Sequence, residues 1–293
     1  MRIGLVNVDS KIPNLALMKL SAWHKAQGDE VKVFDPLFDR PDRIYSSKVF
    51  KDTDKYGYFH PNCEVFQGGS GYDIDIKLPD YIETMCPDYS LYGINSAMGF
   101  TTRGCNRSCG FCIVPRKEGK LHTVADIHQF WRGQERLIIM DNNLTGDTEH
   151  FNLICKQVIK HKIQTDFNQG LDIRLIDDEK ARLLSKVQLW KGYRLRFAWD
   201  SMDLERDVMK GISTLTRYMK PWKLMFYVLI GYDTIADEDL YRVEMLKSLG
   251  IRSFVMPYDR TSEYQRDFAR YVNGHVYETV AWADYLFKDR GIG

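Results

Sequence analysis

From about residue 96 onward, short apolar runs return every few tens of residues: SAMGFTT, RLIIMD, IQTDFNQ, RLRFAWD, KLMFYVLIG and RSFVMPY. Between them lie stretches with helical spacing of apolar residues, around 124–133, 149–162, 177–188, 204–219 and 237–249. Several begin on acidic helix starters, Asp177-Asp178 before Glu179 and Asp237-Glu238-Asp239 before Leu240. Strands joined through helices run parallel, because each helix carries the chain back along the sheet. The run MFYVLI is apolar on both faces, as a strand covered by helices requires. The pattern predicts an α/β fold over 96–260, either a parallel barrel or an open doubly wound sheet.

Residues 1–95 read as a smaller α/β unit. Ile3, Leu5, Val6 and Val8 mark a strand. Leu15, Met18, Trp23 and Ala26 mark a helix stopped near Gly28, and Val31, Val33 and Phe34 mark a second strand. This is a βαβ opening, and 36–62, with Pro36, Pro41 and Pro61, reads as irregular. VFQGGSGYD then runs into glycines at 68, 69 and 71. No Lys-Ser/Thr pair or helix pattern follows them at once, so a flexible turn is expected rather than a phosphate loop. Residues 261–293 carry one more helical pattern, with Val276, Val280, Ala283 and Phe287 on one face.

Charge excludes little but narrows the partners. Forty-one basic side chains against forty acidic ones leave a net charge of +1, so no global field draws nucleic acid or anionic membrane. No window approaches eighteen apolar residues, and the apolar run in MRIGLVNVDSK is too short for a signal peptide. Six cysteines in 293 residues, half of them clustered, do not read as a secreted disulfide framework. A reducing cytoplasm is expected, with no membrane association.

The cluster lies in TTRGCNRSCGFCIVP, where Cys105, Cys109 and Cys112 are spaced C-x3-C-x2-C just after the first of the six apolar runs. Three thiolates on a short glycine-containing loop suit a soft metal. Zinc would need a fourth ligand, and His122 lies outside the short spacings zinc modules favour. A [4Fe–4S] cluster, normally held by four cysteines, would be left with one open iron. Cys63, Cys86 and Cys155 are scattered and read as buried thiols acting as small hydrophobes.

CNRSCGFC, with its aromatic before the last cysteine, resembles the signature of the radical S-adenosylmethionine (SAM) superfamily. GFTTRGCNRSCGFCIVP further resembles the branch containing cobalamin-binding-domain enzymes and tRNA methylthiotransferases. The resemblance implies a partial (β/α)6 TIM-like barrel over 96–260, preceded by a shortened Rossmann-like segment over 1–95 and closed by a helical extension over 261–293. It also implies an oxygen-sensitive cluster on Cys105, Cys109 and Cys112, with SAM chelating the fourth iron through its amino and carboxylate groups. One electron, from a donor such as flavodoxin or ferredoxin, would split SAM into methionine and a 5′-deoxyadenosyl radical that takes a hydrogen atom from substrate. The substrate is undefined, a small molecule before RNA. An RNA or small-molecule methyl- or methylthiotransferase of the same superfamily is an alternative, and a non-catalytic zinc or iron–sulfur protein is another. The N-terminal segment carries Asn7-Val8-Asp9-Ser10-Lys11 where a cobalamin domain has Asp-x-His-x-x-Gly, so histidine-ligated cobalamin is not expected.

The same resemblance places SAM contacts at strand ends. Asp141, Asn142 and Asn143 stand where family members carry Gly-Gly-Glu for the SAM ammonium, Asp141 first; Asn143 also suits an Asx turn. In TDFNQGLDIR, Asp166, Asn168, Asp172 and Arg174 occupy alternate positions that would share a strand face if Gly170 does not break it. Arg174 would grip the SAM carboxylate or pair with Asp172 or Asp177. Asp200-Ser201 sits where relatives carry a Glu-Ser that contacts the ribose, and is similar to it. Gly231 would let adenine approach, and Phe111 would offer its backbone to the adenine edge. Met256 and Tyr258 fall at the pocket rim, with ordinary core packing preferred for both.

Overall fold

The computed structural model describes residues 1–53 and 63–289. Residues 54–62 of the stretch read as irregular, Pro61 among them, and residues 290–293 of the C-terminal extension lie outside the described residues. The N-terminal unit is a parallel sheet of β1 (Arg2–Asn7), β2 (Glu30–Val33), β3 (Arg43–Ser47) and β4 (Glu64–Gly68) in the order β2-β1-β3-β4. The βαβ opening is present, with α1 (Leu15–Ala26) between β1 and β2. Strand β3 falls where an irregular stretch is expected. Its inward positions include Ser46 and Ser47, whose hydroxyls are satisfied by Tyr72 (3.0 Å) and Asn14 (2.8 Å), so the apolar alternation that betrays a strand is missing.

Helix α1 is buried on two sides, which is why its sequence is apolar almost all round. Leu17 and Leu20 pack on Ile3 and Leu5 of the N-terminal sheet, beside Ile82 of the short helix α2 (Asp80–Glu83). Leu15 and Met18 pack on Met98 and Ile138, which belong to the next sheet. The N-terminal unit is therefore joined to the rest through a shared apolar layer.

The six apolar runs form six parallel strands in two sheets. One is β5 (Ser96–Gly99), followed in chain order by the short pair β6 (Thr102–Arg103) and β7 (His122–Thr123), then β8 (Arg136–Ile139) and β9 (Gln164–Phe167), laddered β5-β8-β9. The other is β10 (Leu195–Ala198), β11 (Leu224–Ile230) and β12 (Arg252–Pro257), laddered β10-β11-β12. The two meet through the Leu171 N–H on the Arg196 carbonyl (2.8 Å) and an Arg196–Asp166 ion pair. The architecture is mixed α/β with parallel sheets.

Helices α4 (Thr148–Lys160), α5 (Asp178–Lys186), α6 (Glu205–Thr216) and α7 (Ala236–Ser248) follow the expected pattern; the short α3 (Val114–Lys117) precedes them. They cover one face of both sheets and share a single core that includes Leu137, Phe151, Phe197, Phe226 and Val243. Two expectations fail. Residues 124–133 hold only a 3-10 turn, Ile127–Gln129, because Asp126 caps it at once and Phe130 drops over Gly99 into the core. The C-terminal extension holds two helices, α8 (Glu263–Asn273) and α9 (Trp282–Asp289), with Val276 in a turn after the left-handed His275.

Candidate functional site

The cysteine loop is built as a closed hairpin at the C-terminal end of β5. Strands β6 and β7 pair antiparallel, Arg103 opposite His122, and so tie residues 104 and 121 together. Gly104 has φ +75°, and a Cβ there would lie 2.3 Å from the Lys120 carbonyl oxygen, so no other residue fits. Beyond it, the Cys105 N–H bonds the Gly119 carbonyl (3.2 Å), the Cys112 N–H bonds the Cys109 carbonyl (3.0 Å), and Asn106 Nδ2 reaches the Gly146 carbonyl (3.1 Å). Arg103 stacks on Phe100 at 3.6 Å and pairs with Glu83 and Glu118, while Lys117 donates to Ser70 (2.5 Å). The Gly68–Gly71 turn is thus pinned to the cysteine loop instead of hanging free.

All three loop cysteines are free and half-buried. Burial pushes the Cys109 thiol up, with Arg174 opposing, and pushes the Cys112 thiol up, with the Val114 N–H opposing. Of the other thiols, Cys155 is buried as expected, whereas Cys63 and Cys86 are only partly so because each lies in a loop segment near the surface. Among the described residues, no three His, Cys, Asp or Glu side chains converge as ligands of a single metal ion.

Asp141, placed by sequence as the leading SAM contact, is turned away from that role. Its carboxylate accepts four hydrogen bonds: from Thr101 N (2.6 Å), Thr101 Oγ1 (2.5 Å), Thr102 N (3.0 Å) and Thr102 Oγ1 (2.9 Å). It is the clamp that launches the cysteine loop. Beside it, Asn142 Oδ1 is buried and has no partner, an acceptor left open at the end of β8. Asn143 is also buried, and its Nδ2 donates to Cys105 Sγ (3.4 Å) while its Oδ1 accepts from Thr145 Oγ1 (2.9 Å).

The third apolar run does not present one alternating face. Strand β9 ends at Phe167, the chain turns at Gly170 (φ +95°), and Asp172 and Arg174 fall at a 3-10 turn, Ile173–Leu175. Asp166 is spent on Arg196 and Asn168 is half-buried just past the strand. Asp172 takes Arg174 through Nε (2.7 Å) and Nη2 (3.0 Å), and Arg107 through Nε (2.8 Å). The hydrogen bonds and attraction of these two arginines hold the Asp172 carboxyl below the usual carboxylate range despite its burial. Arg174 thereby pairs with Asp172 and still carries its charge toward Cys109 and Asp200.

Asp200, two residues past the end of β10, has a poorer set of partners. Burial pushes its carboxyl up to about 6, outweighing Arg242, the Leu229 backbone and Arg174. Arg242, wholly buried and paired with Asp239 at 2.5 Å, donates to the carbonyls of Trp199 (2.6 Å) and Leu229 (2.9 Å), fixing the backbone just before Asp200. Ser201 caps the following turn through Asp203 N (3.3 Å). Gly231 is left-handed at φ +72°, and the space a side chain would take there is filled by Gln265, not held open. Phe111 meets the Tyr232 ring edge-on at 5.4 Å, and Tyr232 meets Tyr258 at 4.9 Å, so an aromatic ladder runs from the cysteine loop to the ends of β11 and β12. Met256 and Tyr258 are 42% and 55% exposed, against the expected core packing; β12 alternates, with Ser253 and Val255 buried and Phe254 and Met256 exposed.

Cysteines 105, 109 and 112, Phe111, Arg174 and Asp200 thus gather around one strand-end region, with Asn143 at its edge. Sequence reasoning missed Arg107, Thr145 and Tyr232. Arg107 had a signal, lying between two of the cysteines; Thr145 is tied to distant Asp172 as well as to nearby Asn143, and Tyr232 acts through Phe111, distant in sequence. No family model matches the chain, and no curated protein matches it significantly. Among the described residues, no helix is long and apolar enough to cross a membrane.

Proposed function

We propose that the chain is an enzyme of the radical SAM type, with Cys105, Cys109 and Cys112 holding a [4Fe–4S] cluster. The observation that carries the reading is a closed loop presenting three free thiols beside Arg174 and Asp200, with Asn143 donating to one of the sulfurs. When bound, the cluster and SAM supply one-electron cleavage of the SAM carbon–sulfur bond.

The chain's own residues would bind and orient. Asn142 Oδ1 is an unpartnered acceptor for the SAM ammonium, whereas Asp141 already accepts four hydrogen bonds from Thr101 and Thr102. The Arg174 guanidinium, steadied on Asp172, offers its remaining N–H groups to the SAM carboxylate. Asp200 and Ser201 stand for the ribose hydroxyls, and Phe111 with Tyr232 forms an apolar wall for adenine. Half-burial of the thiols restricts water around them. The two sheets follow each other in strand order under one helical layer, which suits a partial (β/α)6 barrel. A one-electron donor of the flavodoxin or ferredoxin kind completes the system.

The test is anaerobic reconstitution with counting of iron and sulfide, followed by reduction and mass spectrometry for 5′-deoxyadenosine after SAM is added. Four irons and four sulfides per chain with SAM cleavage are expected, and Cys109→Ala abolishes both. Stoichiometric zinc, or a loaded cluster that never cleaves SAM, overturns the reading.

A further inference from the structure

The three loop thiols are not in equivalent surroundings. Cys105 Sγ accepts two hydrogen bonds, from Arg107 N (3.3 Å) and from Asn143 Nδ2 (3.4 Å), and among the described residues it is the one loop sulfur given a side-chain donor. The orientation of the Asn143 amide follows from a chain of bonds. The Asp172 N–H donates to Thr145 Oγ1 (2.9 Å), so the Thr145 hydroxyl proton is free to point the other way, onto Asn143 Oδ1 (2.9 Å). With its oxygen engaged, the amide can turn only its NH2 toward sulfur. Asp172, the origin of the chain, is clamped by Arg107 from the cysteine loop and by Arg174. The relay is also well protected: Asn143 is 4% exposed and Thr145 1%.

From this geometry we infer that Asn143 is a positioning residue that tunes the cluster through Cys105, with Thr145 setting the direction of its amide. The inference rests on the reading that the loop cysteines hold a [4Fe–4S] cluster. An N–H aimed at a ligating sulfur stabilises the more negative, reduced state and raises the reduction potential. The step concerned adds one electron to the cluster and breaks no bond, so the reductant is the only co-reactant. Asn143 thus makes the cluster easier to reduce, and the fold supplies this effect through one of the three ligands.

The test is a dithionite titration of the anaerobically reconstituted protein, followed by electron paramagnetic resonance, without SAM or substrate. Asn143→Leu removes the donor without adding charge, and its midpoint potential is expected to fall while iron and sulfide content stay at the wild-type level. Thr145→Val frees the amide to rotate and is expected to lower the potential by less; Thr145→Ser keeps the hydroxyl and restores the wild-type value. If Asn143→Leu loads poorly, the Thr145→Val and Thr145→Ser pair decides. A wild-type potential in loaded Asn143→Leu, or in loaded Thr145→Val, overturns the inference while leaving the radical SAM reading intact. A wild-type protein that takes up no iron–sulfur cluster overturns that reading, and the inference with it.

Discussion

Just past the ends of β8 and β10 stands an aspartate followed by polar residues, and burial pushes both carboxyls up, yet their partners differ. Asp141 is buried and receives four hydrogen bonds from Thr101 and Thr102, two from backbone and two from hydroxyls. Asp200 is partly buried, faces the loop cysteines, and is raised to about 6 because burial outweighs the help it receives from Arg242, the Leu229 backbone and Arg174. A carboxylate at a strand end is therefore not a functional group by position alone. What matters is whether its lone pairs are already spent. Asp141 has become part of the scaffold that aims the cysteine loop, while Asp200 has capacity left for a ligand that would bring hydrogen-bond donors.

The sharpest way to break this comparison is Asp141→Ala. It strands two backbone N–H groups and two hydroxyls in a dry site, and a loss on the order of 3–5 kcal/mol in chemical denaturation is expected. Unchanged stability would return Asp141 to the pool of free ligands.

Asp200→Asn should act in the opposite sense on the cluster-free protein. The folded pKa of about 6 lies above the usual carboxylate value, so between roughly pH 4 and 6 the unfolded chain gives up its proton first. Wild-type stability then falls as pH rises through that window and is flat in this respect above it. Asp200→Asn removes the fall and is expected to be more stable at pH 7, by on the order of 1–3 kcal/mol. Denaturation at pH 4 and pH 7 checks this; a parallel pH dependence in the two proteins would show that Asp200 is not strained by burial. On the proposed radical SAM reading, the same variant is expected to weaken SAM binding, which separates a strained ligand from a structural clamp. The smallest effect belongs to the open side of β12, where Met256→Ser should change stability by no more than about 0.5 kcal/mol. A larger loss would mean that this face is covered.

Legibility from sequence followed the range of the forces involved. The six strands were readable because their apolar runs reflect burial beneath helices, a property each segment carries by itself. The helices with strong caps were readable for the same reason: Asp177 accepts from Lys180 N (2.8 Å) and Asp147 from His150 N (3.0 Å), both local bonds. Strand β3 was hidden because serines occupy its inward positions, and their partners, Asn14 and Tyr72, are 33 and 26 residues away. The shared face of TDFNQGLDIR depended on Gly170, and the strand ends at Phe167 with the chain turning at that left-handed glycine.

The sequence alone determined the parallel α/β character of the chain and the grouping of three thiols on one loop at a strand end. Both are set within a few residues, by apolar periodicity and by the spacing C-x3-C-x2-C. Only the tertiary structure decided which polar side chains are spent and which are free. Asp141 is used up by threonines 39 and 40 residues earlier, Asn143 is aimed at a sulfur 38 residues earlier, and Asn142 is left without a partner. A hydrogen bond is satisfied by whatever group the fold brings within about 3 Å, and no spacing along the chain records that.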